Sequence, residues 1–441
     1  GLYRKGYSMK TDILIVGSGC SGLYCALNLP EDKNIMVISK SKFIESDSYL
    51  AQGGMCVLKS EDDYESYFND TMKAGHYEND ERSVEIMIRS SVEVIRDLLD
   101  YGTVFATDSE GRLAYTKEGG HSTNRIVYHD DTTGKEITAS LLAQVRNRTN
   151  IKMYQYTTLV DIIERDNRCY GAVIRHEDGS LEGIAASYVV LATGGVGGLY
   201  ATSTNYKHLT GDSLAIALKH NIRVRNLNYV QIHPTTFYTG KKEERCFLMS
   251  ESLRGEGAKL YNKDMERFVD ELLPRDILTA RIRSQMEADG TDHVWEDLRT
   301  IPPDELKSHF FNIVEHCRYN GYDVTKECIP VVPSQHYFMG GIDVNYESRT
   351  SMDNLYAVGE TACNRVHGKN RLASNSLLES LVFAKRAAKE MSASEFEDTG
   401  DTCNDILKTT DMSVYSDAQA LEAKYRALVL AEIKKEDKRG K

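Results

Sequence analysis

Residues Thr11 to Gly22 read Thr-Asp-Ile-Leu-Ile-Val-Gly-Ser-Gly-Cys-Ser-Gly, an apolar run that breaks into glycines at Gly17, Gly19 and Gly22. Asp12 to Val16 carries the near-continuous branched signature of a parallel strand buried on both faces, and Leu23 to Leu29 continues with helix formers. A strand that feeds a glycine turn and opens a helix is a cradle for a dinucleotide. Gly17 permits the tight turn, Gly19 lets a pyrophosphate approach the backbone, and Gly22 lets helix and strand pack closely. The helix N-terminus then faces the phosphates. Glycine clusters alone are commonly ordinary turns, so the reading rests on the strand before and the helix after.

Working outward, Asn34 to Ser39 supplies a second strand. Dinucleotide folds usually end this strand in an acid that holds the ribose hydroxyls, but Ser39 and Lys40 stand there. This weakens an NAD reading and leaves a flavin dinucleotide open, with Lys40 facing a phosphate or ribose. Ser46 to Gly54 ends in Ala51-Gln52-Gly53-Gly54, where paired glycines either let backbone lie against a flat ring or simply punctuate a loop. Further on, Tyr188 to Gly195 is another buried strand ending in small residues, and Gly211-Asp212 heads a helix running to Lys219.

Between these, Glu81 to Leu99 has helical apolar spacing, and Lys117 to Ser122 is a glycine turn with charged neighbours. Tyr154 to Arg175 and Ile184 to Leu191 read as strands, with polar turns at Asp166-Asn167 and Asp178-Gly179. From Gln231-Ile232-His233-Pro234-Thr235 to about Gly340 the character changes to charged segments with isolated functional side chains, as in an inserted domain. The dinucleotide pattern resumes at Asn354 to Glu360, and Asn370 to Glu379 starts a helix reaching about Met391. The tail from Ser392 turns helical and highly charged, with a frayed end expected over Lys434 to Lys441.

The 441 residues are long enough for two or three domains, and their formal charge of -12 argues against nucleic acid or an anionic membrane as partner. No run approaches the roughly 18 apolar residues of a membrane span, and a cytoplasmic location is expected. The nine cysteines contain no Cys-x-x-Cys pair and read as reduced thiols, so neither a disulfide framework nor a metal site is expected.

Taken together, the motifs at Gly17 to Gly22, Ser48 to Gly54, Ala192 to Gly195, Gln231 to Thr235, Arg254 to Gly257, Pro274 to Asp276, His336, Leu355 to Glu360 and Asn370 to Glu379 carry a resemblance over about residues 11 to 390. The chain resembles the succinate dehydrogenase, fumarate reductase and L-aspartate oxidase flavoprotein family, and within it the aspartate-oxidising members. The resemblance implies an α/β fold with a Rossmann-like FAD-binding domain, an inserted α+β capping domain and a short helical C-terminal tail. The expected boundaries are 1–231 and 340–395 for the FAD-binding domain, 232–339 for the cap and 396–441 for the tail. The implied reaction is FAD-dependent oxidation of L-aspartate to iminoaspartate, with oxygen or fumarate as acceptor, opening de novo NAD synthesis with a product hand-off to quinolinate synthase. A soluble fumarate reductase or succinate dehydrogenase-like flavoprotein is the alternative.

Motif by motif, the resemblance places Ser18, Gly19, Cys20 and Ser21 along the pyrophosphate, and Lys40, Asp47, Ser48, Ala51, Gln52, Gly53 and Gly54 along the ribose and flavin. Ala192, Thr193, Gly194, Asp212, Glu360, Ser376 and Leu377 complete the cofactor contacts. Asp47 stands where the respiratory members carry the histidine bonded to flavin, so non-covalent FAD is expected. Arg371 and His336 would grip one substrate carboxylate, and His233, Ser250 and Glu251 would surround the other end. Arg275 matches the arginine that protonates fumarate, and it would need a carboxylate relay to be reloaded. Arg254 and Glu256 read as a structural pair. Glu118 is either a solvated turn residue or the partner of the substrate ammonium.

Overall fold

The strand Tyr7–Val16 lies between Ile35–Ile38 and Leu181–Leu191 in a seven-stranded sheet of the computed structural model, which describes residues 7–241 and 245–439. Ile35–Ile38 pairs onward with Ile151–Tyr154, and every one of these contacts is parallel. On the edge away from Tyr7–Val16, the long strand Leu181–Leu191 serves two neighbours. Its first half runs antiparallel to Arg168–Arg175, and Val189 to Leu191 run parallel to Leu355–Ala357. Asp166 and Asn167 make the turn between Thr158–Arg165 and Arg168–Arg175 with φ of 51° and 58°, a left-handed pair that Asn and Asp tolerate.

Alternation along the first strand divides the interior. Ile13 and Ile15 join the core shared with the helices Cys20–Leu27, Glu81–Asp100, Thr133–Arg146 and Asn375–Ser392. Leu14 and Val16 point to the other core, beneath the Thr158–Leu191 meander and the helix Asp212–Lys219. Each fully buried aliphatic side chain of this kind contributes about 1.5–3 kcal/mol.

A second body rises over the carboxyl ends of the parallel strands. Its antiparallel sheet runs Val230–Phe237, Ile329–Phe338, Val294–Asp297, Lys259–Tyr261, and the helix Arg275–Asp289 packs against the first of these. Phe237, Met249, Leu278, Ile282, Phe310 and Val331 belong to its own apolar core. The first two strands of this order are also the connections to the rest of the chain.

The tail folds back onto the main sheet as Gly400–Thr409 and Ala418–Arg439, burying Cys403, Leu407, Tyr425 and Val429. The fraying expected from Lys434 does not occur up to Arg439. Glu436 accepts a 2.6 Å hydrogen bond from the Leu227 backbone N–H, which ties the last turns down. Asp161 adds a second tie, receiving His220 Nε2 at 2.7 Å, Lys219 and the Tyr415 hydroxyl. Among the described residues no helix is long and apolar enough to cross a membrane.

Candidate active site

The glycine turn is held by close backbone contacts. A Cβ on Gly17, whose φ is +124°, would sit 1.9 Å from the Ala192 carbonyl oxygen, and one on Gly22 would sit 2.2 Å from the Gly17 oxygen. A Cβ on Gly19 would meet nothing nearer than Ser48 Oγ at 3.2 Å, because this face looks into the cleft. The Cys20 backbone N–H donates to Ser48 Oγ at 3.1 Å, and Ser18 Oγ donates to the Phe43 carbonyl at 2.9 Å. The turn is therefore fastened to the Ser46–Gly54 segment before any ligand arrives.

A cleft opening onto about 1640 Å³ free of protein atoms runs from this turn to the cap. Gly17, Ser18, Gly19 and Ser21 line one end, with Lys40, Asp47, Ser48, Ala51 to Gly54, Ala192 to Gly194 and Asp212 along its length. Glu360, Ser376 and Leu377 line it opposite, and Glu118, Ser250, Glu251, Arg275, His336 and Arg371 close the far end. Three of the expected residues stand back. Cys20 and Gly22 lie behind the turn, and His233 is fully buried behind His336, ring centroids 5.2 Å apart.

These walls fit FAD. Two N-termini, of Cys20–Leu27 and Asn375–Ser392, meet the cleft with Ser21 and Ser376–Leu377 in their first turns, giving amide donors for phosphate and ring oxygens. Both Asp47 carboxylate oxygens and Gln52 Oε1 are buried in the wall without a hydrogen-bond partner among the described residues. The Tyr206 backbone lowers the Asp47 pKa but falls short of hydrogen-bond geometry. Burial nevertheless pushes Asp47 up to about 7. Lys40 spends its three ammonium donors on the His208 carbonyl, Thr210 Oγ1 and Asp212 Oδ2, at 2.9–3.2 Å, so its visible work is to fix the 208–212 turn.

The far end is built around one carboxamide. Gln231 Oε1 accepts from Arg275 Nη1 and Arg371 Nε, both at 3.1 Å, while its Nε2 donates to Asn370 Oδ1 and the Arg371 carbonyl. Arg371 also donates to Ser376 Oγ at 2.9 Å and lies 4.8 Å over the Tyr337 ring. Tyr337 is braced in turn by Glu379, which holds Asn364 and His367 as well. Arg275 forms an ion pair with Glu251 at 2.9 Å, and Glu251 lies 3.7 Å from Arg254. Ser252 Oγ donates to Glu118 Oε1 at 2.6 Å.

Charge and burial set the protonation states. Burial, then the neighbouring Glu251 charge, raise Glu118 above the usual carboxylate range. Burial also pulls Glu251 upward, but Arg275 and Arg254 outweigh it and hold Glu251 low. Burial and the adjacent guanidiniums drive His233 and His336 well below the ordinary imidazole range, so both are neutral. His233 Nδ1 accepts from the Thr235 backbone N–H at 3.1 Å, which leaves the proton on Nε2. We assign the same tautomer to His336, whose Nδ1 is 2.7 Å from Thr204 Oγ1, so its Nε2–H can donate into the cleft. Burial, then Arg275, push Arg371 down to about 10, still protonated at neutral pH.

Sequence reasoning gave Gln231, Thr204, Ser252 and Tyr337 no role. The available signal was period two: Gln231 and His233 alternate on one strand, as do Gln335 and Tyr337, so residues flanking a functional histidine share its neighbourhood. The expected Arg254–Glu256 pair does not form. Arg254 turns inward to Glu251 and the Glu271 carbonyl, whereas Glu256 accepts from Thr116 Oγ1 at 2.9 Å, because residues two apart on a helical turn point apart. Glu118 is 3 % exposed, which excludes the solvated alternative.

A glycine cradle on a parallel sheet, with a cationic pocket under a cap, defines an FAD-dependent oxidoreductase, and the FAD binding domain family matches residues 12–377. The L-aspartate oxidase of Clostridium perfringens is 50 % identical over 382 residues, covering 87 % of each chain, and that of Clostridium acetobutylicum is 45 % identical, covering 88 % of this chain and 89 % of its own. Among solved structures, the FrdA subunit of E. coli quinol fumarate reductase superposes with a TM-score of 0.83 at 26 % identity, over 97 % of this chain and 82 % of that one. The chain belongs to the L-aspartate oxidase family.

Proposed function

We propose that the cleft binds L-aspartate with one carboxylate between Arg371 and His336, the other toward Ser250 and Arg275, and the ammonium toward Glu118. The observation that carries this is Glu118: a buried carboxyl placed among cations that suit two carboxylates is the group that a third, positive substituent requires. Bound FAD supplies the two-electron chemistry that converts aspartate to iminoaspartate and passes electrons to oxygen or fumarate.

The protein's part is binding and proton management. Arg371 offers a planar fork whose remaining donors face the cleft, and neutral His336 adds an Nε2–H. Arg275 donates or accepts at the substrate carbon through Glu251, the carboxylate that keeps it supplied. Ser250 accepts from the Ser252 backbone N–H and keeps its own hydroxyl proton to donate. In this reading residues 232–339 act as a cap over an FAD-binding body formed by 1–231 and 340–395, the enzyme works in the cytoplasm, and its product passes to quinolinate synthase.

Purified protein incubated with L-aspartate and oxygen should yield peroxide and iminoaspartate. Fumarate reduction without aspartate oxidation would support a fumarate reductase instead, and neither activity would overturn both.

A further inference from the structure

In the cap sheet, Val294–Asp297 pairs with the strand Ile329–Phe338 only over Ile329 to Val331. Further along that strand, where it carries His336, its partners come from outside the sheet. Ser203 bridges Gln335 in parallel register, the Thr204 backbone N–H donates to the Gln335 carbonyl at 3.0 Å, and the Gln335 N–H donates to the Thr202 carbonyl at 3.2 Å. The Ser203 hydroxyl donates to the Gln335 side-chain carbonyl. Thr204 and Asn205 are buried in the cleft wall beside His336. Asn205 is firmly seated: its backbone N–H donates to Ser203 Oγ at 2.9 Å, and a Cβ on Gly197 would lie 2.2 Å from its own Cβ.

These contacts fix a chain of donors. The His336 carbonyl can only accept, so the Asn205 atom 2.9 Å from it is the amide nitrogen. The same Nδ2 lies 3.4 Å from Thr204 Oγ1, which accepts its second hydrogen. The Thr204 hydroxyl then turns its own hydrogen toward His336 Nδ1, 2.7 Å away, and Nδ1 is the unprotonated nitrogen. The ring, kept neutral by burial and by the guanidiniums of Arg371 and Arg275, carries its one proton on Nε2.

We propose that Thr204 is a positioning residue for substrate binding, whose hydroxyl, oriented by Asn205, selects the His336 tautomer that offers Nε2–H to a substrate carboxylate. This role rests on the reading of His336 as one of the carboxylate grips. A neutral imidazole presents either a hydrogen or a lone pair to the cleft. With the proton on Nδ1, the ring would turn its Nε2 lone pair toward an anionic oxygen, and repulsion would replace a hydrogen bond. The same stretch of chain runs on to His208, Thr210 and Asp212, the turn that Lys40 holds on the cofactor side, so the substrate grip and the cofactor wall share one support.

Heteronuclear NMR of the histidine rings in the FAD-loaded enzyme, with the His336 signals identified by their loss in His336→Asn, should show a protonated Nε2 and an unprotonated Nδ1 in the parent. Thr204→Val keeps the branched shape, removes the hydroxyl and should move the ring toward the Nδ1–H form. A hydrogen bond to a charged group is worth about 10- to 100-fold in affinity. The KM for L-aspartate should rise by about that factor, with kcat changing about twofold or less, because this grip serves ground and transition states alike. The Kd of fumarate for the oxidised enzyme, read from the flavin absorbance, should rise in step. Thr204→Ser should restore the tautomer, KM and Kd. Flavin content and thermal unfolding report whether each variant folds, and the parent spectrum tests the tautomer whether or not Thr204→Val does. An Nδ1–H signal in the parent, or a Thr204→Val variant that keeps the Nε2–H form, overturns the assignment. A changed tautomer with unchanged KM and Kd sinks the reading of His336 instead, and the role of Thr204 in binding with it.

Discussion

Arg275 and Arg371 donate to the same atom, each with a nitrogen 3.1 Å from Gln231 Oε1. Two buried guanidiniums at this separation repel, and the shared acceptor together with Glu251 holds them in place. The spacing between the two cationic grips on the substrate is therefore set by one uncharged side chain, itself anchored to Asn370 and the Arg371 carbonyl.

Gln231→Leu keeps the bulk but removes the shared acceptor. Released guanidiniums should drift by a fraction of their separation, and misplacement on the scale of 1 Å costs on the order of 100-fold in catalytic efficiency. We expect kcat/KM for L-aspartate to fall about 10- to 100-fold with flavin content unchanged, measured by steady-state oxygen consumption and absorbance. Unaltered kinetics would mean that the carboxamide does not set the spacing.

Arg371→Lys retains a charge and loses the planar fork. The present Arg371 spends Nε on Gln231 and one Nη1 hydrogen on Ser376, and only a guanidinium has donors left after these. Aspartate turnover should drop by roughly two decades or more while FAD stays bound. Near-normal aspartate kinetics in the variant would remove Arg371 from the carboxylate site.

Asp47 begins the short helix Asp47–Leu50 beside the cleft, where a histidine would be needed for covalent attachment. A carboxylate makes no such bond to the flavin. Acid precipitation should therefore release yellow flavin into the supernatant. Flavin that stays with the pellet or fluoresces on a denaturing gel would contradict this.

The glycine turn was legible because its geometry is local. Gly17 and Gly22 have meaning within a few residues of themselves, and the clashes that a Cβ would cause, with the Ala192 and Gly17 carbonyls, are those a strand-turn-helix demands. The substrate half was legible only as motifs. Nothing near Gln231 in the sequence says that its carboxamide meets arginines 44 and 140 positions away. His233 was read as lining the site, yet the strand paired with its own, Ile329–Phe338, places His336 in front of it. The Arg254 side chain, expected beside Glu256, turns into a cap interior whose polar contents, Glu271 and Glu296, come from separate strands and loops. Partners drawn together by sheet pairing leave no spacing rule to read.

Glu118 gives the sharpest separation of aspartate from plain dicarboxylates, because the two differ by one ammonium. Its Oε1 accepts from Ser252 and lies so close to Gly53 that a Cβ there would be 2.5 Å away, which fixes the carboxyl against the backbone expected beside the flavin. Burial and Glu251 raise its pKa, so at lower pH the group is protonated and pairs poorly with an ammonium, whereas at higher pH it carries the charge that attracts one. The kcat/KM for L-aspartate should therefore climb with pH along a limb lying above the ordinary carboxylate range. Glu118→Gln should flatten that limb and lower kcat/KM by about two to three decades, the cost of removing one partner from a desolvated pair. Fumarate reduction with an artificial electron donor, measured on the same preparation, should change little, since fumarate has no ammonium to pair. Equal losses in both reactions would indicate a damaged cleft, and an unchanged aspartate profile would assign Glu118 to holding Ser252 alone; either result takes it out of substrate recognition.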